Sequence, residues 1–243
     1  RVEGEAHFFR AYYYYMLWRR FGGVLLIDHT YDPLTHAEKF PRASYEQMVS
    51  FIVAEAGKAD SLLAVTNGAS DVGRVTRGAA IMLKAKTYLW ASSPVFQNKS
   101  KSYLGFTGDQ SQTMLQKARA AYDELFALNR YQLVPVTATT QDGIRDEYRK
   151  IFTTKNTSES ILEVQHSDDG DYANKFGHTL DRDAAAPSFT GTTAAYTPTQ
   201  NHVAEYGMRG GAVYDPLHPY DNRDYRFYAN VLYNGCEYRG HIR

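Results

Sequence analysis

The chain has 243 residues with 27 basic and 27 acidic side chains, a length that can bury a substantial core and a charge balance that makes no electrostatic case for nucleic acid or an anionic membrane surface. Its single cysteine, Cys236, excludes an internal disulfide and a cysteine-based zinc site, and no apolar run is long enough to span a bilayer. The 20 Tyr and 12 Phe suit a core, and they also suit surfaces that meet carbohydrate or protein.

The first stretch, RVEGEAHFFRAYYYYMLWRRFGGVLLIDHTY, reads as a helix over about 1–21. One apolar stripe runs through Ala6, Phe9, Tyr13, Met16 and Leu17, and a second through Phe8, Ala11, Tyr12, Tyr15 and Trp18, so the expectation is a helix buried between layers with Tyr13 in the core. Glu3 and Glu5 at its start and Arg19 and Arg20 at its end complement the helix dipole. Gly22-Gly23 stops it, and Val24 to Ile27 continues extended.

Residues 29–42 read as a loop, with a turn at Tyr31-Asp32-Pro33. Ser44 followed by Gln47 has the spacing of a capping box and opens a helix over about 45–65 that buries Met48, Phe51, Ile52, Ala59, Leu62 and Leu63. A helix over about 74–92 follows, ending at Ser92-Ser93-Pro94. Its Gly78, Ala79, Ala80 and Ala85 allow close approach of a neighbour, and its Trp90 is expected in the core. Residues 97–108 are a polar loop. A helix over about 113–128 presents Leu115, Ala118, Ala121, Tyr122, Leu125 and Phe126, with Asn129 to cap its end, and a short helix closes around 148–152. Helices of this length in succession suggest tetratricopeptide-like hairpins, although the strict repeat consensus is degenerate.

Beyond them the pattern weakens. ESILEVQH over 159–166 alternates well enough for a strand, and 167–199 turns to Gly, Asp, Asn, Ala and Thr with isolated aromatics. Pro198 and Thr199 open a helix expected to run through Val203, Tyr206 and Met208 to Gly210-Gly211. Turns, a strand over 227–233 and an Asn234-Gly235 turn complete the chain. The fold expected is mainly α: a single domain whose residues 1–155 form a helical repeat layer and whose residues 156–243 form an irregular, loop-rich ligand-side layer with short strands.

Motifs that carry chemistry are scarce. Neither standard phosphate loop, nor H-E-x-x-H, nor G-x-S-x-G occurs. Asp168-Asp169-Gly170-Asp171 has part of a calcium-loop pattern without its spacing or terminal Glu, and a solvated acidic turn explains it more simply. Glu159 and Glu163 could be nominated as a glycosidase pair, but a chain with 27 acids always offers one. The cluster Asp215, His218, Asp221, Arg223, Asp224 and Arg226 is rich in turn formers that can pair locally, and Cys236 is read as a passive residue. With no nucleophile, metal or cofactor loop in view, binding is favoured over catalysis.

Four ordered stretches carry a resemblance. GEAHFFRAYYYYMLWRRFGGVLLI, RVTRGAAIMLKAKTYLWASSPVF, ESILEVQ, and PTQNHVAEY followed by YDP and NRDYRFYANVLYNG resemble the successive motifs of the SusD/RagB-type outer-membrane nutrient-binding lipoproteins of Bacteroidetes. Leu25-Leu26 stands where that family usually has Pro-Leu. The resemblance implies an interior fragment whose missing N-terminus would carry a signal peptide and lipid-bearing cysteine. It also implies non-catalytic capture of oligosaccharide or another nutrient at the outer-membrane surface, without a cofactor, and delivery to a SusC-like TonB-dependent transporter.

Sugars are captured by aromatic faces and by polar side chains that bond their hydroxyls. The loop from Asp168 to Tyr196 has that composition, with Tyr172, Phe176 and Phe189 as candidate stacking residues and Asp168, Asn174 and Arg182 as candidate hydrogen-bonding groups. Two other readings stand beside this one: a helical-repeat module that docks a protein and binds no glycan, and a glycoside hydrolase.

Overall fold

The computed structural model describes residues 1–30, 40–166, 179–185, 191, 193–238 and 241–242. The turn expected at Tyr31-Asp32-Pro33 lies outside them. The protein is mainly α: α1 (Val2–Phe21), α2 (Tyr45–Leu62), α3 (Arg77–Ala91), α4 (Ser111–Ala127), α5 (Gln141–Thr153), then the short α6 (Leu180–Ala184), α7 (Gln200–Ala204) and α8 (Tyr225–Asn230). Two-residue strands β1 (Glu237–Tyr238) and β2 (His241–Ile242) pair antiparallel. No helix among the described residues is long and apolar enough to cross a membrane. The chain divides into two compact units, one of residues 1–132 with 160–163 and one of 133–159 with 164–243.

In the first unit α1 packs on α2, α2 on α3 and α3 on α4, the tetratricopeptide-like stacking expected from the helical periods. The core side of α1 is the stripe Phe8, Ala11, Tyr15 and Trp18, all buried. The other stripe faces outward: Phe9, Tyr13 and Leu17 are 42%, 62% and 43% exposed. Tyr13 is therefore a surface residue, contrary to expectation. Periodicity identifies both stripes, but which one is covered depends on where the neighbouring helices lie.

The end of α1 is set by geometry that only glycine meets. Gly22 has φ 67°, and a Cβ there would stand 2.2 Å from the Tyr103 carbonyl oxygen. Arg42 then ties the chain down, its Nε donating to the Gly23 carbonyl and its Nη2 to that of Phe21, both at 2.6 Å. Tyr14 shows how a tyrosine of this helix satisfies its hydroxyl: Ile27 N–H donates to it at 2.8 Å, and it donates to the Ile27 carbonyl at 3.1 Å.

α2 starts on the expected capping box, Gln47 N–H donating to Ser44 Oγ at 3.1 Å and Ser44 N–H to Gln47 Oε1 at 2.8 Å. Met48, Ile52, Ala59 and Leu63 are buried as expected, while Leu62 is largely exposed and Phe51 half-buried against Tyr14. α3 sits between α2 and α4, and its small residues Gly78, Ala79, Ala80 and Ala85 are all buried, which permits helices on both sides. α4 buries Met114, Ala118, Ala121 and Leu125, leaving Leu115 and Phe126 outside. Asn129, at φ 48°, closes it by donating its N–H to the Phe126 carbonyl.

The second unit departs further from expectation. Residues 159–166 are not a strand: Glu159, Ile161 and Leu162 lie in turn or bend, and alternation alone does not make a ladder. Nor is 227–233 a strand: residues 225–230 are helical, started by the Asp224 carboxylate accepting the Arg226 N–H at 2.8 Å. Phe227, Tyr228 and Val231 then bury on one side with Val203, ringed by Tyr206, Tyr220 and Tyr233. The helix opened by Thr199 stops at Ala204, and Gly210 and Gly211 serve a separate tight turn at φ 59° and 74°. Cys236 is a buried free thiol.

Candidate functional site

Of the residues proposed as a ligand platform, Asp168, Tyr172, Asn174, Phe176 and Phe189 lie outside the described residues, as does the acidic turn Asp168–Asp171. Arg182 is described. It sits on α6 with its side chain 57% exposed, and its Nε donates to Asp183 Oδ1 at 3.0 Å. Asp183 also accepts from Thr179 Oγ1 at 2.6 Å, and these two bonds hold its carboxyl below the usual carboxylate range. The Arg182 backbone carbonyl accepts from Thr193 N–H and the Asp183 carbonyl from Tyr196 N–H, so this end of the loop is folded on itself.

The busy cluster at 215–226 is structural. Arg223 is buried, donating from Nε to the Pro219 carbonyl and from Nη1 to that of Tyr206, both at 2.9 Å. Asp224 pairs with Arg226 at 2.6 Å, and Asp215 accepts the Leu217 N–H at 2.9 Å as a turn cap. Glu159 and Glu163 are also engaged. Glu159 accepts the Val134 N–H at 3.2 Å and Glu163 the Ser160 hydroxyl at 2.7 Å. Among the described residues, no group of three or more His, Cys, Asp or Glu side chains is clustered for a metal ion.

Among the described residues, one concave surface lies in the first unit, at the end of α1. A cavity of about 590 Å³, in the range of small-molecule sites, is lined by Tyr15 and Arg19 from α1, by Lys86, Leu89 and Trp90 from α3, and by Ser93, Val95 and Phe96 from the tight turn after α3. The helix break at Ser92-Ser93-Pro94 creates it, because the chain turns away after Trp90 and no further helical turn covers the indole. Ser93 caps the new turn by accepting the Val95 N–H. Trp90 is thus half-buried in a cavity wall and not sealed in the core as expected. Phe96 lies 5.9 Å from it and stacks at 5.2 Å on buried Tyr45, which fixes the aromatic wall to the core.

Arg19 lies over this wall, its guanidinium carbon 4.1 Å from the Trp90 ring centre and 5.3 Å from that of Tyr15. Burial raises the Tyr15 hydroxyl pKa, and Arg19 beside it works in the opposite direction. None of the lining residues is acidic, and among the described residues neither Arg19 nor Lys86 pairs with a carboxylate. Reading the sequence misses this site because Trp90 satisfies helical periodicity. The available signal is its position in the last turn before a break, where an aromatic loses the covering turn that a helix interior provides.

With that geometry in view, comparison with known proteins is decisive for the family. Residues 1–89 match the family described as starch-binding and associating with the outer membrane, and residues 158–242 match the SusD family. The chain belongs to the SusD/RagB-type family. A SusD-like protein from Bacteroides fragilis has 26% identity and a TM-score of 0.69, over 96% of this chain and 43% of its own. A second B. fragilis structure, titled a SusD-like carbohydrate-binding protein, shares the fold at 19% identity and TM-score 0.74, over 98% of this chain and 41% of its own. This chain therefore spans less than half the length of either SusD-like structure. No curated protein matches it in sequence.

Proposed function

We propose that this chain binds an oligosaccharide or other nutrient at the outer-membrane surface, without catalysing a reaction, for delivery to a SusC-like TonB-dependent transporter. The observation that carries the reading is the pair of SusD-type matches at residues 1–89 and 158–242, and one structural relative, named as a carbohydrate-binding protein, is in line with it. The aromatic cavity beside Trp90 and Phe96 adds physical support, since flat rings suit the apolar face of a sugar. The loop from Asp168 to Tyr196 remains the proposed main platform, with Tyr172, Phe176 and Phe189 stacking and Asp168, Asn174 and Arg182 bonding hydroxyls. A glycan array, followed by calorimetry on its hits, tests the reading. Replacing Tyr172, Phe176 and Phe189 together by Ala should weaken binding while leaving the melting temperature nearly unchanged, and full retention of affinity would move the platform elsewhere.

A second reading, a helical module that docks another protein, is favoured by the outward stripe Phe9, Tyr13, Leu17 and Phe21 on α1, each more than 40% exposed. Both readings can hold together. Pull-down of a barrel partner with no glycan retained on any array would leave the second alone.

A further inference from the structure

We propose that the cavity between the ends of α1 and α3 is a second ligand subsite, selective for an acidic sugar residue, one that carries a carboxylate or a sulfate. The proposal rests on the glycan-binding reading and adds the chemical class and the place.

Several cations of the first unit pair with carboxylates: Arg1 with Asp71, Arg10 and Lys58 with Glu55, Arg74 with Glu5, Arg77 with Asp60 and Lys84 with Glu124, at distances between 2.5 and 2.9 Å. Others do not, and two of these meet at the cavity. Arg19 and Lys86 both line it, no acid lines it, and neither cation pairs with a carboxylate among the described residues. An arginine in the last turn of a helix can serve simply as a dipole cap, but here the next residue does so: Arg20 Nη1 donates to the Met16 carbonyl at 3.1 Å. Arg19 turns instead onto Trp90 and Tyr15.

That placement has a chemical consequence. A guanidinium placed over an indole and beside a tyrosine hydroxyl still has N–H donors for a further partner, and its fork matches the two oxygens of a carboxylate or sulfate. Lys86 adds a mobile second charge from the neighbouring helix, and Ser93 a hydroxyl. Trp90 and Phe96 offer faces to the sugar ring that bears the anion. A neutral sugar would use the rings and leave both cations uncompensated, so charge separates the two ligand classes.

The test uses the whole chain and four probes in calorimetry: an oligogalacturonate, its carboxyl-reduced neutral counterpart, a sulfated galactan oligosaccharide and its desulfated form. At least one acidic probe should bind ten-fold or more tightly than its neutral partner, and that preference should shrink as salt is raised. The pair Arg19→Gln with Lys86→Gln should abolish it without lowering the melting temperature, while the variant with Tyr172, Phe176 and Phe189 replaced should keep it. Which acidic probe wins distinguishes carboxylate from sulfate. Equal binding of acidic and neutral probes, or an undiminished preference in the double variant, overturns the subsite and leaves the glycan reading standing. Failure of all four probes, with a blank glycan array, overturns both.

Discussion

The two units differ in what their long-reaching arginines bond. In the helical unit, cations on the packed faces meet carboxylates: Arg74 bonds Glu5 through two nitrogens at 2.6 and 2.8 Å, and Arg77 bonds Asp60 at 2.8 Å. In the second unit Arg145, Arg182 and Arg226 pair with aspartates within three residues of them in sequence, while the arginines that reach further meet the backbone. Arg149 donates to the carbonyls of Tyr228 and Ala229, Arg209 to that of Arg223, and Arg223 to those of Pro219 and Tyr206. The reason is where each chain's backbone bonds go. A helix pairs its own carbonyls, whereas an irregular chain leaves carbonyls that side-chain donors must satisfy. The exception in the first unit proves the rule locally, since Arg42 bonds the Phe21 and Gly23 carbonyls just where α1 ends.

The largest expected effect tests the helical core. Trp18 is 1% exposed and packs on Tyr15 and Tyr45. Trp18→Ala should cost about 3 to 5 kcal/mol in urea denaturation. A variant as stable as the parent would mean that the contacts of α1 do not carry this unit.

Next comes the charged knot inside it. Glu55 is 2% exposed and accepts from His7, Arg10 and Lys58 at 2.7, 2.6 and 2.9 Å. Burial alone would raise its pKa, but the bonds from His7, Lys58 and Arg10 outweigh that and lower it to about 2. A folded-state pKa below the unfolded value contributes stability that is complete above pH 4.5 and is lost as pH falls towards 2. The stake is roughly 3 kcal/mol, from a shift of about 2.5 pH units. Acid titration of Glu55→Gln should lack this component between those limits, and an unchanged acid profile would refute the assignment.

Arg223→Met probes the second unit by removing two charge-assisted bonds to half-buried carbonyls, at a cost of about 1 to 3 kcal/mol. Hydrogen exchange should accelerate in residues 206–228 and stay unchanged in α1 to α4. Acceleration in both units would show that they do not open separately. Ser44→Ala should cost about 1 kcal/mol and loosen the first turn of α2. The smallest effect is expected at Tyr13→Ala, within about 0.5 kcal/mol, because the ring is on the surface. A loss as large as that of Trp18→Ala would reverse the assignment of the two α1 stripes.

What could be read from the residues is what depends on near neighbours in the chain. The capping box of Ser44 and Gln47, the stop at Gly22, the cap at Asn129 and the four long helices are each decided within a few residues, by hydrogen bonds and dihedral limits that leave a local signature. The four family motifs were legible for the same reason. What the residues left open required distant parts to meet. Phe8 and Trp18 are covered while Phe9 and Tyr13 are not, because α2 lies on one side of α1. The pattern of 227–233 fits a strand until Val203 and three tyrosines gather around Phe227 and favour a helix. The cavity arises where the end of α1, the end of α3 and the turn after it converge, and no single segment encodes that concavity or tells that Arg19 and Lys86 will share it. Burial and charge compensation are properties of surfaces brought together, so they become fixed only when the helices pack.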